Sequence, residues 1–427
     1  MRSILAVFTL LLGVTIILAG SGLLGTLLGV RGQIEGMASG TLGIVMSGYF
    51  IGYVAGTFLV PKMIRRVGHV RTFAALASLA SIATLVHGLY LSPLAWFLMR
   101  FLVGVCVVGL YIAIESWLNE QTSNEERGHV FSVYMTTTLI GLGLGQLLLM
   151  TGDAARLELF ALASVLLSLG LVPVALTRVR EPPLVEAERL GLRKLYEISP
   201  VGVVCCVFSG LGISTLWSLG PVFIGGLGFD ARGVSLFMAL TILGGILMMW
   251  PVGRLSDRIE RRRVLMLTCA MSGVGAGATL LLIPVGAWGV LVGGFLYGCF
   301  AFSIFSLATA HTNDHIAAGQ VLEATSGLQL LWGSGAIVGP IVTGFLIQRF
   351  GPEALLVWFL VTALIPAAFI RYRMAFSQPI PREDQGDFVP HFATSSAALE
   401  MHPEVDVDVE ADIDIGAGTD DDGEDTR

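Results

Sequence analysis

The sequence predicts an all-α integral membrane protein, with twelve transmembrane helices arranged in two six-helix bundles. The chain has 427 residues, of which 54% are hydrophobic and 13% are charged, whereas soluble domains carry about a quarter charged residues. Twelve apolar stretches are long enough to cross a bilayer, which takes roughly 20 helical residues. Two short basic loops, at 61–71 and 253–263, each follow such a stretch. This recurrence indicates two related halves.

The twelve spans are expected to be helical because the bilayer core offers backbone groups no partner outside their own segment. They are predicted at 4–30, 37–60, 72–91, 94–114, 129–150, 157–177, 200–224, 235–252, 264–284, 288–310, 324–347 and 354–371. The first stretch is longer than the apolar core of a signal peptide, about 7–15 residues, so we interpret it as a retained helix. All five cysteines fall within spans, which argues against a disulfide framework.

The distribution of Lys and Arg predicts the orientation. With the N-terminus inside, the predicted cytoplasmic segments hold 20 of the 25 basic residues and the outer loops hold four. Cytoplasmic loops of membrane proteins carry such an excess. Both termini are therefore predicted to be cytoplasmic.

The halves are predicted as residues 1–177 and 200–372, joined by a cytoplasmic linker at 178–199. Phe101-Leu102-Val103-Gly104 and Phe295-Leu296-Tyr297-Gly298 are similar stretches at equivalent positions. Because both halves start inside, they are parallel repeats related by a pseudo-twofold axis along the membrane normal.

The remaining residues, 373–427, form an acidic tail. From residue 378 onward the chain holds 15 acidic and 2 basic residues, a composition typical of disorder. A solvated, disordered cytoplasmic tail is predicted, and docking on the basic inner loops or weak cation binding is the alternative.

The second basic loop carries a recognisable motif. Its residues follow the pattern G-x-L-x-D-R-x-G-R-R/K at Gly253, Leu255, Asp257, Arg258, Arg261 and Arg262, with Glu260 in the position of the second glycine. In this loop the chain resembles the major facilitator superfamily, and the resemblance covers about residues 1–375. Within the family it is similar to the YcaD-like bacterial branch, through Arg100, Phe101 and Gly104 and the pair Glu115-Ser116. The resemblance implies a twelve-helix secondary transporter in the bacterial cytoplasmic (inner) membrane.

The same motif implies gating residues. In the family, the carboxylate at the position of Asp257 faces the N-terminus of a helix in the other half, where an anion interacts favourably with the helix dipole. Arg258 and Arg261 would complete a charge-assisted network. The first loop keeps Gly68 but has Arg65 in the acidic position, so Arg65 needs another partner, for which Glu323 is a candidate.

Two ionisable residues are coupling candidates. Arg100 is the one permanent charge in the interior of a predicted span, and intramembrane charges are costly and usually functional. Snorkelling of its long side chain to the outer interface is the alternative, while the resemblance implies a role in proton coupling. Glu115, at the predicted inner end of helix four, is either protonatable at the cavity mouth or a solvated loop acid.

In this fold the central cavity is lined by helices one, four, seven and ten, flanked by two, five, eight and eleven. The candidates for contact with a substrate are Tyr49, Tyr53, Trp217, Tyr297, Gln329 and Trp332. Aromatic side chains with one polar group suit an amphipathic or apolar ligand. Export of such a compound is therefore predicted. Uptake of a sugar or metabolite and a non-transporting receptor are the alternatives.

The sequence lacks the residues that other classes of membrane protein require. An intramembrane enzyme needs clustered His, Asp, Glu or Ser at matching depth, and an ATP-driven pump needs a G-x-x-x-x-G-K-[S/T] loop; neither pattern occurs. We expect no cofactor, metal or nucleic acid. The expected partners are a small-molecule substrate, a proton in the coupled case and the lipid bilayer, with the protein acting as a monomer.

Overall fold

The computed structural model describes four long stretches and part of the C-terminal segment. The described residues are 2–122, 126–176, 190–316, 320–376, 378, 380–381, 385–386, 388–391 and 393–395. The acidic stretch 404–425 and most of the linker therefore lie outside the described residues.

The described residues of the first half form seven α-helices. They are α1 (Arg2–Ile34), α2 (Ser39–Val67), α3 (His69–Leu89), α4 (Pro93–Gln121), α5 (Arg127–Leu148), α6 (Glu158–Leu169) and α7 (Leu171–Leu176). The predicted sixth span is thus divided at Gly170 into α6 and α7. The linker contributes a short helix, α8 (Leu192–Ile198).

The second half contains the remaining helices. They are α9 (Pro200–Gly226), α10 (Ala231–Arg258), α11 (Arg261–Leu282), α12 (Ala287–Ala301), α13 (Ser303–Asn313), α14 (Val321–Phe350) and α15 (Ala354–Arg373). The predicted tenth span is divided at Phe302 into α12 and α13. Among the described helices, eleven segments are long and apolar enough to cross a membrane, and the sixth span, Glu158–Val174, is a shorter apolar helix. The predicted all-α membrane fold is confirmed.

Helix packing follows the repeat. In the first half α2 packs on α4, α1 on α5 and α3 on α6; in the second half α10 packs on α12, α9 on α14 and α11 on α15. Across the halves α2 packs on α14 and α5 on α10, which the same pseudo-twofold relation exchanges. Each of these contacts in one half therefore has its counterpart in the other.

Two equivalent glycines allow close approaches between helices. A Cβ on Gly104 of α4 would meet the backbone carbonyl of Tyr49 in α2, and one on Gly298 of α12 would meet that of Thr241 in α10. Small residues let membrane helices pack backbone to backbone. The glycines noticed as a sequence repeat therefore hold equivalent helix pairs together.

The two ends of the bundle differ. The "basic end" is the end at which α2 and α10 terminate, with Arg65 and Arg258 in their last turns; the other is the "opposite end". At the opposite end the halves touch: Gln33 Nε2 donates to the Val222 carbonyl at 2.8 Å, and the Gly40 N–H donates to Gln348 Oε1 at 3.2 Å. The bundle is therefore closed at the opposite end.

Candidate functional site

A cavity of about 160 Å³ lies between the two halves. Four of the six predicted contact residues line it: Tyr49 and Tyr53 from α2, Trp217 from α9 and Trp332 from α14. Both bundles therefore contribute aromatic side chains to one wall, as expected for a central binding site.

The aromatic rings form a chain of contacts across the interface between the bundles. The ring centroids of Tyr49 and Tyr53 are 6.2 Å apart, and those of Tyr53 and Trp332 are 6.4 Å apart. Trp332 also contacts Phe305 of α13 edge-on, at 6.3 Å. Edge-to-face pairs at such distances are favourable. A rigid-body rotation of one bundle against the other would separate these rings and change the shape of the cavity.

The other two predicted contact residues lie outside the wall. Gln329 is buried behind it and donates a hydrogen bond to the Tyr53 hydroxyl at 3.2 Å. Tyr297 stacks on Phe359 of α15, with ring centroids 4.4 Å apart, inside the second bundle. The position of Tyr297 in the tenth span did not by itself show that its ring faces α15 rather than the cavity.

Sequence reasoning missed several lining residues, including Tyr111, Phe302 and Phe305. A signal was present: Tyr111 and Phe305 stand at the same offset that relates Phe101 to Phe295. Applying the repeat to the aromatic residues would have paired Tyr111 with Phe305 at equivalent positions of the two halves.

Arg100 lies on the cavity wall, and it is buried inside the protein rather than exposed on its outer surface. The residue is 6% exposed, and its guanidinium carbon lies 4.5 Å from the centroid of the Tyr49 ring. Its Nε is buried with no hydrogen-bond partner among the described residues. Arg100 is also the one charged side chain among the described residues of the wall. The cavity therefore has a basic group that the sequence analysis did not place there.

Glu115 is buried within a helix. Because α4 continues to Gln121, Glu115 lies more than one turn before the helix end and is 0% exposed. Its Oε1 accepts a hydrogen bond from the Tyr134 hydroxyl at 2.6 Å. Its Oε2 accepts a hydrogen bond from Ser395, near the C-terminus. The alternative of a solvated loop acid is therefore excluded by its burial.

The motif residues at the basic end form an ion-pair network within the second half. The Arg261 guanidinium lies 2.6 Å from Asp314 Oδ1 and 3.5 Å from Asp257 Oδ1, and it donates to the Ala310 carbonyl at 3.1 Å. Burial raises the pKa of the Asp314 carboxyl, and the attraction of Arg261 opposes this shift without reversing it. Arg258 is exposed at the last position of α10.

The gating roles predicted from the motif concern the conformation closed at the basic end, and they stay predictions. In this structure the Asp257 carboxylate accepts a hydrogen bond from the Phe388 N–H at 2.9 Å. In the first half, Arg65 is exposed in the last turn of α2. Gly68 separates α2 from α3 with φ of 85°, a conformation that favours glycine.

Part of the predicted solvated tail lies between the bundles. The "docked segment" comprises Gly386, Phe388–His391 and Ala393–Ser395, and two of its residues, Ala393 and Thr394, line the central cavity. Unlike the acidic stretch that follows, this segment is rich in apolar and aromatic residues, which explains why it is buried rather than solvated. The average composition of residues 373–427 did not reveal that the docked segment differs from the acidic stretch after it.

Comparisons with known proteins agree with this architecture. The model of the major facilitator superfamily matches residues 10–194 and 202–398. The chain is 26% identical over 353 residues to the uncharacterized MFS-type transporter YcaD of Escherichia coli, covering 82% of this chain and 91% of that protein.

Solved structures resemble the fold at low identity. The nucleoside transporter NupG has a TM-score of 0.72 at 15% identity, covering 87% of this chain and 100% of that one. A D-xylose-proton symporter has a TM-score of 0.65 at 16% identity, covering 86% and 96%. Likeness at this level concerns the fold alone.

Proposed function

Since the chain belongs to the major facilitator superfamily, a family of membrane transporters and not of enzymes, we propose that it exports an amphipathic organic anion from the cytoplasm by alternating access. The observation that carries this proposal is the aromatic cavity between the bundles, with Arg100 on its wall. The wall offers flat apolar surface to a substrate and one permanent positive charge.

The charge of Arg100 favours an anionic substrate. A cation over an aromatic face gains about 0.5–2 kcal/mol, whereas the desolvation of a buried ion costs several kcal/mol. The Tyr49 ring therefore offsets only part of the cost of burying Arg100. A substrate carboxylate would supply the missing charge and would accept hydrogen bonds from the guanidinium.

Proton coupling is the second part of the proposal, and Glu115 is its candidate carrier. Its carboxyl group is buried within α4 beside Tyr134, so a change in its protonation would be felt by the packing of α4 against α5. Exchange of a proton against the exported solute would then use the proton gradient. Uptake of a sugar is disfavoured because the described residues of the wall include no Asn, Gln, Asp or Glu, the side chains expected to cluster around such a substrate.

The test compares three probes of one shape and different charge: 1-naphthoate, 1-naphthamide and 1-naphthylmethylammonium. Flux of each is measured in both directions in proteoliposomes, with and without a pH gradient, for the purified full chain and for a chain truncated after Gln385, which lacks the docked segment. We expect export of naphthoate, driven by an inwardly directed proton gradient. Saturable binding without flux would favour the receptor, and flux of D-xylose in preference to all three probes would favour sugar uptake.

Variants then test the residues. Arg100→Gln should weaken naphthoate binding by about 10–100-fold, since a charge-assisted hydrogen bond contributes about 1.5–3 kcal/mol, and should leave naphthamide binding unchanged. Arg66→Gln, at an exposed position in the last turn of α2, is the matched control. Glu115→Gln should remove the dependence of naphthoate flux on the pH gradient. Equal binding of all three probes would refute the anionic class while leaving transport standing.

A further inference from the structure

The docked segment contacts both bundles at once. In the first half, the Tyr53 hydroxyl donates to the Ala393 carbonyl at 2.5 Å, and Ser395 is hydrogen-bonded to Glu115. In the second half, the Phe388 N–H donates to Asp257 and the His391 N–H donates to Ser306 Oγ at 3.1 Å. Each of these contacts involves a side chain from a helix of one of the two bundles. The segment therefore lies in a cleft between the two bundles.

Side-chain packing repeats this bridging. The His391 ring stacks on Phe131 of α5 at a centroid distance of 5.9 Å and lies 5.6 Å from Phe305 of α13. His391 thus lies between one aromatic ring from each bundle and is buried. Ring contacts on both sides require that the two helices keep this separation, so the segment matches one arrangement of the bundles.

A glycine makes room for the segment at the basic end. A Cβ on Gly253 of α10 would overlap the ring of Phe388, and the nearby Gly386 carbonyl accepts a hydrogen bond from Arg261 at 2.5 Å. Two groups of the motif at the basic end, the Gly253 backbone and the Asp257 carboxylate, are therefore in contact with the docked segment.

The segment extends from the basic end to the cavity. Gly386 lies beside Arg261, at the start of α11, whereas Ala393 and Thr394 lie beside Tyr53. Tyr53 is 14 residues before the end of α2, which places it roughly 21 Å from that end by helix rise. An extended segment of this length spans a similar distance. The route from the basic end to the cavity is thus filled by the segment.

We propose that the docked segment is a built-in peptide ligand of the cleft that blocks exchange of solute between the cavity and the basic end. The segment and a solute on this route exclude each other sterically. The segment also opposes closure of the basic end, because it fills the space through which the bundles would approach. Transport requires that the segment leave. The proposal concerns regulation and goes beyond the proposed substrate.

The tether strengthens the block. Only twelve residues, 374–385, separate the end of α15 at Arg373 from Gly386. A ligand on a short tether has an effective concentration in the millimolar range. Even a weak intrinsic affinity therefore keeps the cleft occupied until the segment is displaced.

Two truncations test the block, using the accessibility of the cavity. Ser209 lines the cavity and is buried, so the reaction of a Ser209→Cys variant with a polar maleimide in detergent, quantified at that position by mass spectrometry, reports access. Truncation after Gln385 removes the docked segment; truncation after Ser395 keeps it and removes the acidic stretch. We expect labelling to accelerate about tenfold or more after the first truncation, since a tethered ligand occupies its site nearly all the time. We expect no change after the second.

A synthetic peptide of residues 386–398, added to the chain truncated after Gln385, should slow labelling again, and a scrambled peptide should not. Equal labelling rates of the full chain and both truncations would overturn the proposal. The readout needs no flux, so failure of the export proposal would leave this result interpretable.

A pair of point variants keeps the test valid if a truncation fails to fold. Gly253→Val places a side chain where the Phe388 ring lies and should accelerate labelling by a similar factor. Adding Phe388→Gly removes the ring and should restore protection in the double variant. A single variant that labels like the starting protein, or a double variant that labels as fast as Gly253→Val, would contradict docking at this position.

Discussion

Arg261 at the start of α11 offers the sharpest stability prediction. Its side chain is 2% exposed, and that of its partner Asp314 is also 2% exposed. The replacement Arg261→Met keeps much of the aliphatic volume but removes the positive charge. The Asp314 carboxylate then remains buried without its counter-ion, and the Ala310 carbonyl loses a donor.

The expected loss of stability in Arg261→Met follows from the burial of this ion pair. Removing one partner of a buried ion pair costs about 3–5 kcal/mol, because the remaining charge is uncompensated. Arg263→Met is the matched control: Arg263 is 64% exposed, and its partner Glu260 also pairs with Arg262 at 2.8 Å. An exposed ion pair contributes about 0–1 kcal/mol. The two variants should therefore differ by at least about 2 kcal/mol.

The assay is reversible unfolding in mixed micelles of dodecyl maltoside and SDS, read by tryptophan fluorescence. The free energy of unfolding is compared for wild type, Arg261→Met and Arg263→Met at two pH values. The loss in Arg261→Met should be smaller near about pH 5 than near about pH 8, because Asp314, whose pKa burial raises, can take up a proton.

Two outcomes would refute this reasoning. One is a loss in Arg261→Met within about 0.5 kcal/mol of the loss in Arg263→Met, which would mean that solvent screens the pair. The double variant Arg261→Met/Asp314→Asn no longer buries a lone charge, so it should recover part of the lost stability. The second refuting outcome is that it recovers none.

Three further predictions concern single positions. Because the folded-state pKa of Asp314 is raised above 3.8, wild type should lose stability relative to Asp314→Asn as pH rises from about 4 in the same unfolding assay; a constant difference would contradict burial of the carboxyl. Gly104→Ala should cost about 1–3 kcal/mol by overpacking α4 against α2, whereas Gly143→Ala, where a Cβ has 3.7 Å to its nearest neighbour, should be close to neutral; equal losses would refute the close approach. Tyr134→Phe should cost about 1–3 kcal/mol by removing the hydrogen bond from the Tyr134 hydroxyl to the buried Glu115 carboxyl, and a neutral result in thermal unfolding would argue against that hydrogen bond.

Much of the fold could be predicted because the bilayer constrains it strongly. Apolar length specifies the spans, and the repeat of Phe101–Gly104 at Phe295–Gly298 identifies equivalent helix pairs. The boundaries were less predictable. Helix α4 continues to Gln121, beyond its apolar stretch, because polar residues near a membrane surface can still be helical and packed.

The site was predicted in part. Choosing aromatic residues on the expected helices found Tyr53 and Trp332 but also selected Tyr297, since a helix surrounded by others is apolar on every side and its faces look alike in sequence. Arg100 was recognised as a costly charge, but its orientation toward the cavity depends on the packing of α4 against α2.

The sequence by itself determined the class of protein, the number of spans and the duplication, because hydrophobic length and the loop pattern are local properties of the chain. Only the tertiary structure decided which side chains meet between the bundles, that the opposite end is closed and that Phe388 and His391 lie in the cleft. These contacts join residues far apart in the chain. They depend on the relative position of two bundles, which no local pattern encodes.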